Sequence, residues 1–422
     1  MLFLNRGGRR AIDEGVERIH GEVFLPCFNS VAAMRSAEHS SRLLIDPQLY
    51  LAGLPVEDCG KVCGRLASFP WFGVEDVPDF ASGDKRRDWD EDCRQVARAG
   101  WRGTAPSSDE VTAAVDAAVN FQLELRAAYL ILPTPLIADR EDEGQTAAEW
   151  LDEGLTAVER LGVAQPVLAT VALDEGVLNT AAFEPGGFLD TVIDQVTARE
   201  GLSGAYVVIA QARQEHPFEI SSTASRAYLH LVRGFVAARY PTVITNFADV
   251  LGLVAMGAGA VAFATGPTQS TRRISLAGFR DTGGFGPYPH LYSHPCVAEF
   301  KVGDLTQVEE ARALSRVRDA TEFSRALFDP SGRRLASPTP GVWTDSLNNV
   351  MEAQSHFIAR LAIEAQELSR VRGQHRQDAV SDWLEGAVAN YLFLERRLGS
   401  ARVKRVARFA PADEWLELFA AE

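Results

Sequence analysis

The stretch Phe247 to Arg273, FADVLGLVAMGAGAVAFATGPTQSTRR, is the most informative run of the chain. Asp249 to Met256 is amphipathic and ends at Gly257-Ala258-Gly259-Ala260. Val261 to Thr265 is an apolar run. A polar loop opening at Gly266 and closing with Arg272 and Arg273 follows. Helix, tight turn, buried strand and polar loop is the order of one βα repeat in a parallel α/β protein. Parallel strands are covered on both faces and so read as continuous apolar runs. The loops that leave their C-terminal ends are where such folds place ligands.

Working outward, the same punctuation recurs. Strands are expected at Glu22 to Phe28, Arg42 to Ile45, Ala127 to Leu132, Pro166 to Leu173, Ala205 to Gln211 and Thr242 to Thr245. Helices are expected at Val56 to Leu66, Ser107 to Arg126, Thr146 to Leu161, Gly187 to Glu200 and Ser221 to Tyr240. Ser107 and Ser221 to Thr223 supply N-cap chemistry. Val261 to Thr265 is then the seventh strand, and Val297 to Val302 is a candidate eighth. Alternation over this length predicts an α/β fold, a (β/α)8 TIM-type barrel, over residues 1–303. A tryptophan-bearing insertion at about 69–108 carries Trp71, Trp89 and Trp101, and reads as a cap or a lid over one end. Residues 304–422 read as a C-terminal helical extension packed on the barrel. Its helices are expected at Leu305 to Phe328, Asp345 to Arg370 and Asp378 to Leu398. In the last, Trp383, Ala387, Val388, Tyr391, Leu392 and Leu398 form a stripe at helical spacing.

The 422 residues carry 57 acids against 42 Lys and Arg, a net charge of −15. That balance disfavours nonspecific binding to nucleic acid or an anionic membrane. No apolar run approaches the length of a membrane span. Five cysteines are few for a disulfide framework and fit a reducing, cytoplasmic setting. Cys59 and Cys63, one helical turn apart, read as buried apolar residues. The expected partners are a small polar or anionic ligand and, through the C-terminal helices, a protein partner or a second copy of the chain.

Polar residues just past strand ends converge on one mouth of a barrel. They are Asn29, Asp46, Thr134, Asp139, Asp174, Glu175, Gln211, Asn246, Thr265 and Thr268. Asp46 and Asp174 directly follow apolar strands and are the candidate acid/base pair. Asn29, Asp139, Gln211, Asn246 and Thr268 are candidate ligand contacts. Arg272 and Arg273 offer planar forks suited to phosphate or carboxylate. Asp281 to Pro287 is a glycine-rich loop without the lysine of a P-loop. The spacing of His290, His294 and Cys296 is not a standard zinc pattern, so no metal site is assigned. No cofactor signature is present. The basic cluster Arg396, Arg397, Arg402, Lys404, Arg405 and Arg408 has few interleaved aromatics and reads as a charged face.

Asp249-Val250-Leu251, Gly257, Val261 to Thr265 and Pro267-Thr268-Gln269 together resemble one segment of the tRNA-guanine transglycosylase barrel family, over roughly 25 residues. The resemblance implies a (β/α)8 barrel and recognition of a planar, nucleobase-like ligand. The family carries a nucleophilic aspartate in this strand, where Ala262-Phe263-Ala264 stand here. Its zinc cluster of three cysteines and a histidine is not matched. Base exchange through a covalent aspartate is therefore not implied. The remaining expectations are an enzyme acting at the mouth, a noncatalytic barrel serving as an interaction subunit, or a nucleic-acid base-modifying enzyme.

Overall fold

A computed structural model describes residues 1–7, 19–36, 42–74, 86–100, 106–142, 144–212, 220–280, 289–336 and 347–420. Eight parallel strands form one sheet: β1 (Leu2–Arg6), β2 (Gly21–Phe24), β3 (Leu43–Ile45), β4 (Leu130–Leu132), β5 (Val167–Asp174), β6 (Gly204–Ala210), β7 (Thr242–Asn246) and β8 (Ala262–Thr265). Their order is β3-β2-β1-β8-β7-β6-β5-β4. Leu2 of β1 stands opposite Phe263 of β8. The two end strands approach each other, and Ala128 N–H donates to Leu43 C=O across the seam at 2.8 Å. The fold is a nearly closed (β/α)8 barrel.

Alternation along each strand separates two cores. Phe3, Val23, Leu44, Ile131, Leu168, Ala172, Tyr206, Val208, Ile244, Ala262 and Ala264 fill the interior. Leu2, Leu4, Ile45, Leu132, Val171, Val207, Val243 and Phe263 face the surrounding helices. Those helices are α1 (Val31–Ser36), α2 (Val56–Ala67), α3 (Arg86–Gly100), α4 (Ser108–Glu124), α5 (Gln145–Arg160), α6 (Phe188–Thr197), α7 (Ser222–Ala237) and α8 (Leu251–Gly257). A reciprocal cap between Ser107 and Glu110 starts α4. Gly252 lets α8 lie directly on β8, because a Cβ there would fall 2.2 Å from the Phe263 ring.

Two strand assignments are corrected. The barrel begins at Leu2–Arg6, a run outside the expected strands. Its residues are too few to show a period, and pairing with β2 and β8 makes them a strand. The opening segment is therefore the eighth unit. Val297 to Val302 is not a barrel strand: β10 (Ala298–Lys301) lies between β9 (His290–Ser293) and β11 (Ala407–Phe409) in a separate antiparallel sheet.

The expected long helix over Leu305 to Phe328 is broken into α10 (Leu305–Glu310) and α11 (Leu314–Val317), with a short 3-10 turn at Arg325–Leu327. Arg312, at φ 54°, turns the chain between the two helices. After α9 (Gln269–Arg272) and these pieces come α12 (Leu347–Arg370), α13 (Gln374–Leu398), α14 (Ser400–Val406) and α15 (Ala412–Ala420). Phe357, Leu361, Val380, Leu384, Trp415 and Phe419 join the outer core of the barrel. Gly257 permits this contact, since a Cβ there would meet both Val380 and Phe419 at 2.9 Å. Leu392, expected in the buried stripe of α13, is instead 48% exposed.

Within the insertion, Trp71 packs against Phe69 and Phe121 and donates from its indole to Pro47 C=O at 2.8 Å. That part is a cap which steadies the end of β3. Trp89 lies on α3, and Trp101 and Asp281 to Pro287 lie outside the described residues. Among the described residues no helix is long and apolar enough to cross a membrane.

Candidate functional site at the barrel mouth

Inward-facing positions near the C-terminal ends of the strands bring four polar side chains together. They are Asn5 on β1, Asp46 just past β3, Tyr206 on β6 and Asn246 ending β7. Asp46 Oδ2 accepts from the Tyr50 hydroxyl at 2.6 Å, the Tyr206 hydroxyl at 3.1 Å and Asn246 Nδ2 at 3.2 Å. Its Oδ1 accepts from Gln48 N–H at 3.0 Å. Asn246 Oδ1 accepts from Asn5 Nδ2 at 2.7 Å and from Phe247 N–H at 2.7 Å. Asn5 Nδ2 also reaches Thr271 C=O at 2.9 Å, which ties β1 to the loop after β8.

Burial drives the Asp46 carboxyl up to about 6, against the opposing pull of its four hydrogen-bond donors. Burial and the neighbouring carboxylate hold the Tyr50 and Tyr206 hydroxyls well above the usual phenol value, so both remain donors. Gln48, Phe247 and Asp249 adopt left-handed backbone at φ 52°, 56° and 49°, immediately after β3 and β7. Such conformations in non-glycine residues cost free energy and tend to cluster where a site is held in shape.

Of the residues expected at the mouth, Asp46 and Asn246 hydrogen-bond to each other. Asn29 Nδ2 donates to Arg6 C=O and Leu25 C=O. Thr134 Oγ1 donates to Thr170 C=O. Asp139 is exposed and accepts from Glu141 N–H in a turn. Asp174 caps the following turn by accepting from Gly176 N–H at 2.7 Å. Glu175 accepts from Ala212 N–H at 2.8 Å and pairs with the Ser221 hydroxyl, joining the ends of β5 and β6 to α7. Thr268 caps α9. Thr265 is fully buried. Gln211 follows β6, and its N–H donates to Ile274 C=O. Its side chain is buried, and among the described residues neither Oε1 nor Nε2 has a hydrogen-bond partner.

Arg272 is engaged internally. Its guanidinium donates to Glu299 Oε1 at 2.6 Å and to Pro267 C=O at 3.3 Å, and it lies 3.6 Å over the Phe357 ring. Arg273 is buried beside it. Nearby, His294 stacks on Trp383 at 4.6 Å and pairs with Glu364 at 3.3 Å, while Cys296 donates to Arg316 C=O. No protein-family model matches the chain, and no curated protein matches it.

Sequence reading missed Asn5, Tyr50, Tyr206 and Asp249. For Asn5 and Tyr206 the usable signal was parity, because each shares the inward phase of its strand. Asp249 has no such signal. It reads as a helix start, yet it is fully buried near Arg272, Arg273 and Glu299. Burial raises its carboxyl to about 6; Arg272 and Arg273 oppose that shift and Glu299 adds to it.

A folded-state value above the unfolded one means that the folded chain takes up the proton first. The stability contributed is present at low pH and lost as pH rises through about 6. Between pH 5 and pH 7 the wild type should therefore lose about 1 kcal/mol relative to Asp249→Asn. Parallel urea titrations at the two pH values measure this difference. Parallel pH profiles for the two proteins would contradict it.

Proposed function

We propose that the C-terminal mouth of the barrel binds a small, planar, polar molecule with an amide-type edge. In this reading Gln211 reads that edge and Asp46 is the proton-exchanging group. The observation that carries the proposal is the Gln211 side chain, buried with both amide atoms unpaired among the described residues. A buried polar group without a partner costs about 1–3 kcal/mol. A ligand offering one donor and one acceptor in a plane removes that cost. The likeness of 247–273 to the transglycosylase barrel supports a nucleobase-like shape for the ligand. Ala262 and Ala264 face the interior, so a carboxylate for acid/base work comes from β3 and not from β8. A carboxyl near 6 exchanges protons at neutral pH, as general acid/base chemistry requires.

The test is calorimetric titration with free nucleobases, simple lactams and, as a contrast, aliphatic carboxylates. Lactam-bearing rings should bind and the carboxylates should not. Gln211→Leu should weaken binding at least tenfold while leaving the free protein as stable or about 1 kcal/mol more stable. Equal binding by Gln211→Leu, or no binding by any lactam, would sink the proposal.

A noncatalytic reading has its own support: Asn5, Asp46 and Asn246 are all 0% exposed, so their network also closes the barrel interior. Under that reading Asp46→Asn changes stability alone, and no ligand of the panel binds.

A further inference from the structure

Residues 391–409 hold six basic side chains and one acid, Glu395, a net +5 within a chain of net −15. Five of the six, Arg396, Arg397, Arg402, Lys404 and Arg405, are exposed on the last turn of α13 and on α14. Among the described residues none of these five forms an ion pair. Exposed arginines elsewhere do both: Arg35 pairs with Glu124 and Arg160 with Asp116, while Arg126, Arg239 and Arg325 form no ion pair among the described residues, so the cluster stands out by its density of positive charge. Glu395 accepts from Tyr391.

From the neighbouring α11, Arg316 lies 5.0 Å over the Phe393 ring, and Arg397 lies 5.4 Å from the same ring. The Phe393 ring therefore has a guanidinium from each of two elements beside it. Cations in a helix's last turn gain from its dipole, which explains Arg396 and Arg397. That gain does not extend to Arg402, Lys404 and Arg405, which follow on α14.

We propose that this face docks the phosphate backbone of a nucleic acid. The face is open, so it suits an extended polyanion rather than an enclosed single phosphate. Among its exposed side chains only Leu392 is a large hydrophobic, whereas protein interfaces carry an apolar core. The overall acidity of the chain is no bar, because screening over about 8 Å at physiological salt leaves the local charge in control.

Fluorescence anisotropy with a labelled RNA hairpin and a labelled DNA duplex tests the assignment on the full chain. The affinity for at least one should fall roughly 10²-fold between 50 and 200 mM salt, as a handful of phosphate contacts dictates. Arg402→Glu combined with Arg405→Glu should weaken binding at least tenfold and flatten the salt slope by about two ions. Arg370→Glu with Arg372→Glu, an equal charge change at the end of α12 and in the turn before α13, a helix about 37 Å long, should leave binding close to wild type. Light scattering and a melting curve on each variant check mass and folding.

Absence of binding at 50 mM salt, or equal weakening by the two pairs, would overturn the assignment. So would a salt-reversible dimer that only the Arg402/Arg405 pair abolishes, because the occupant would then be a second copy of the chain.

Discussion

Arg272→Ala is expected to destabilise the protein by about 3–5 kcal/mol in equilibrium urea denaturation. The arginine and Glu299 are both buried, with side-chain exposures of 8% and 6%. Removing the guanidinium leaves Glu299 without its partner in a region that already encloses Asp249. It also removes the plate that lies on Phe357 of α12, so the loop after β8 loses its hold on the C-terminal helices. Lysine is a poor substitute, since a point charge neither forks nor stacks. Arg272→Met combined with Glu299→Leu should recover much of the loss, because no lone charge remains buried. A cost below about 1 kcal/mol for Arg272→Ala would show that the pair is solvated or replaceable.

Asp46→Ala is expected to cost a similar amount, about 3–5 kcal/mol. Its carboxyl is the common acceptor for two tyrosine hydroxyls, an asparagine amide and a backbone N–H. Alanine strands these donors inside the barrel. The carboxyl's value of about 6 gives the effect a pH signature. The folded wild type gains from protonation as pH falls from 7 toward 4, and the variant does not, so the penalty should grow by about 1 kcal/mol between pH 7 and pH 5. Asp46→Asn keeps an acceptor for the three side-chain donors but turns an amide N–H toward Gln48 N–H. Its cost should be smaller at each pH, and it should grow by the same amount, about 1 kcal/mol, between pH 7 and pH 5, because the amide does not titrate either. Denaturation curves of the three proteins at both pH values decide the matter, and a penalty that shrinks at pH 5 would contradict it.

The barrel was legible because its strands are buried on both faces. Seven of them stand out as apolar runs bounded by Gly, Pro, Asp or Asn, from the run around Val23 to Val261–Thr265. The first strand was not legible, because LFLNR is too short to carry a period and owes its form to two distant neighbours. Val297 to Val302 misled for the opposite reason. It has strand character, but an antiparallel partner on each side claims it.

At the mouth, Asp46 and Asn246 were visible as polar residues after apolar strands. The same rule equally picked out Asp139 and Asp174, which cap turns, and Thr268, which caps α9. Position after a strand does not say which way a side chain points. Arg272 shows the limit for charge: a loop arginine looks free in sequence until Glu299 and Phe357 arrive from elements that sequence distance hides.

The pairing of β1 with β8 also sets an order of events in synthesis. Leu2 waits for Phe263. At about 5–20 residues per second the ribosome delivers that partner roughly 13–50 s later. Until then the first strand has β2 as its one barrel neighbour and an open edge on the other side, the kind of edge that recruits stray strands. The same late seam places Asn5 beside Asn246 and Thr271. A nascent chain stopped before β8 would thus have most of its sheet in place and no finished mouth.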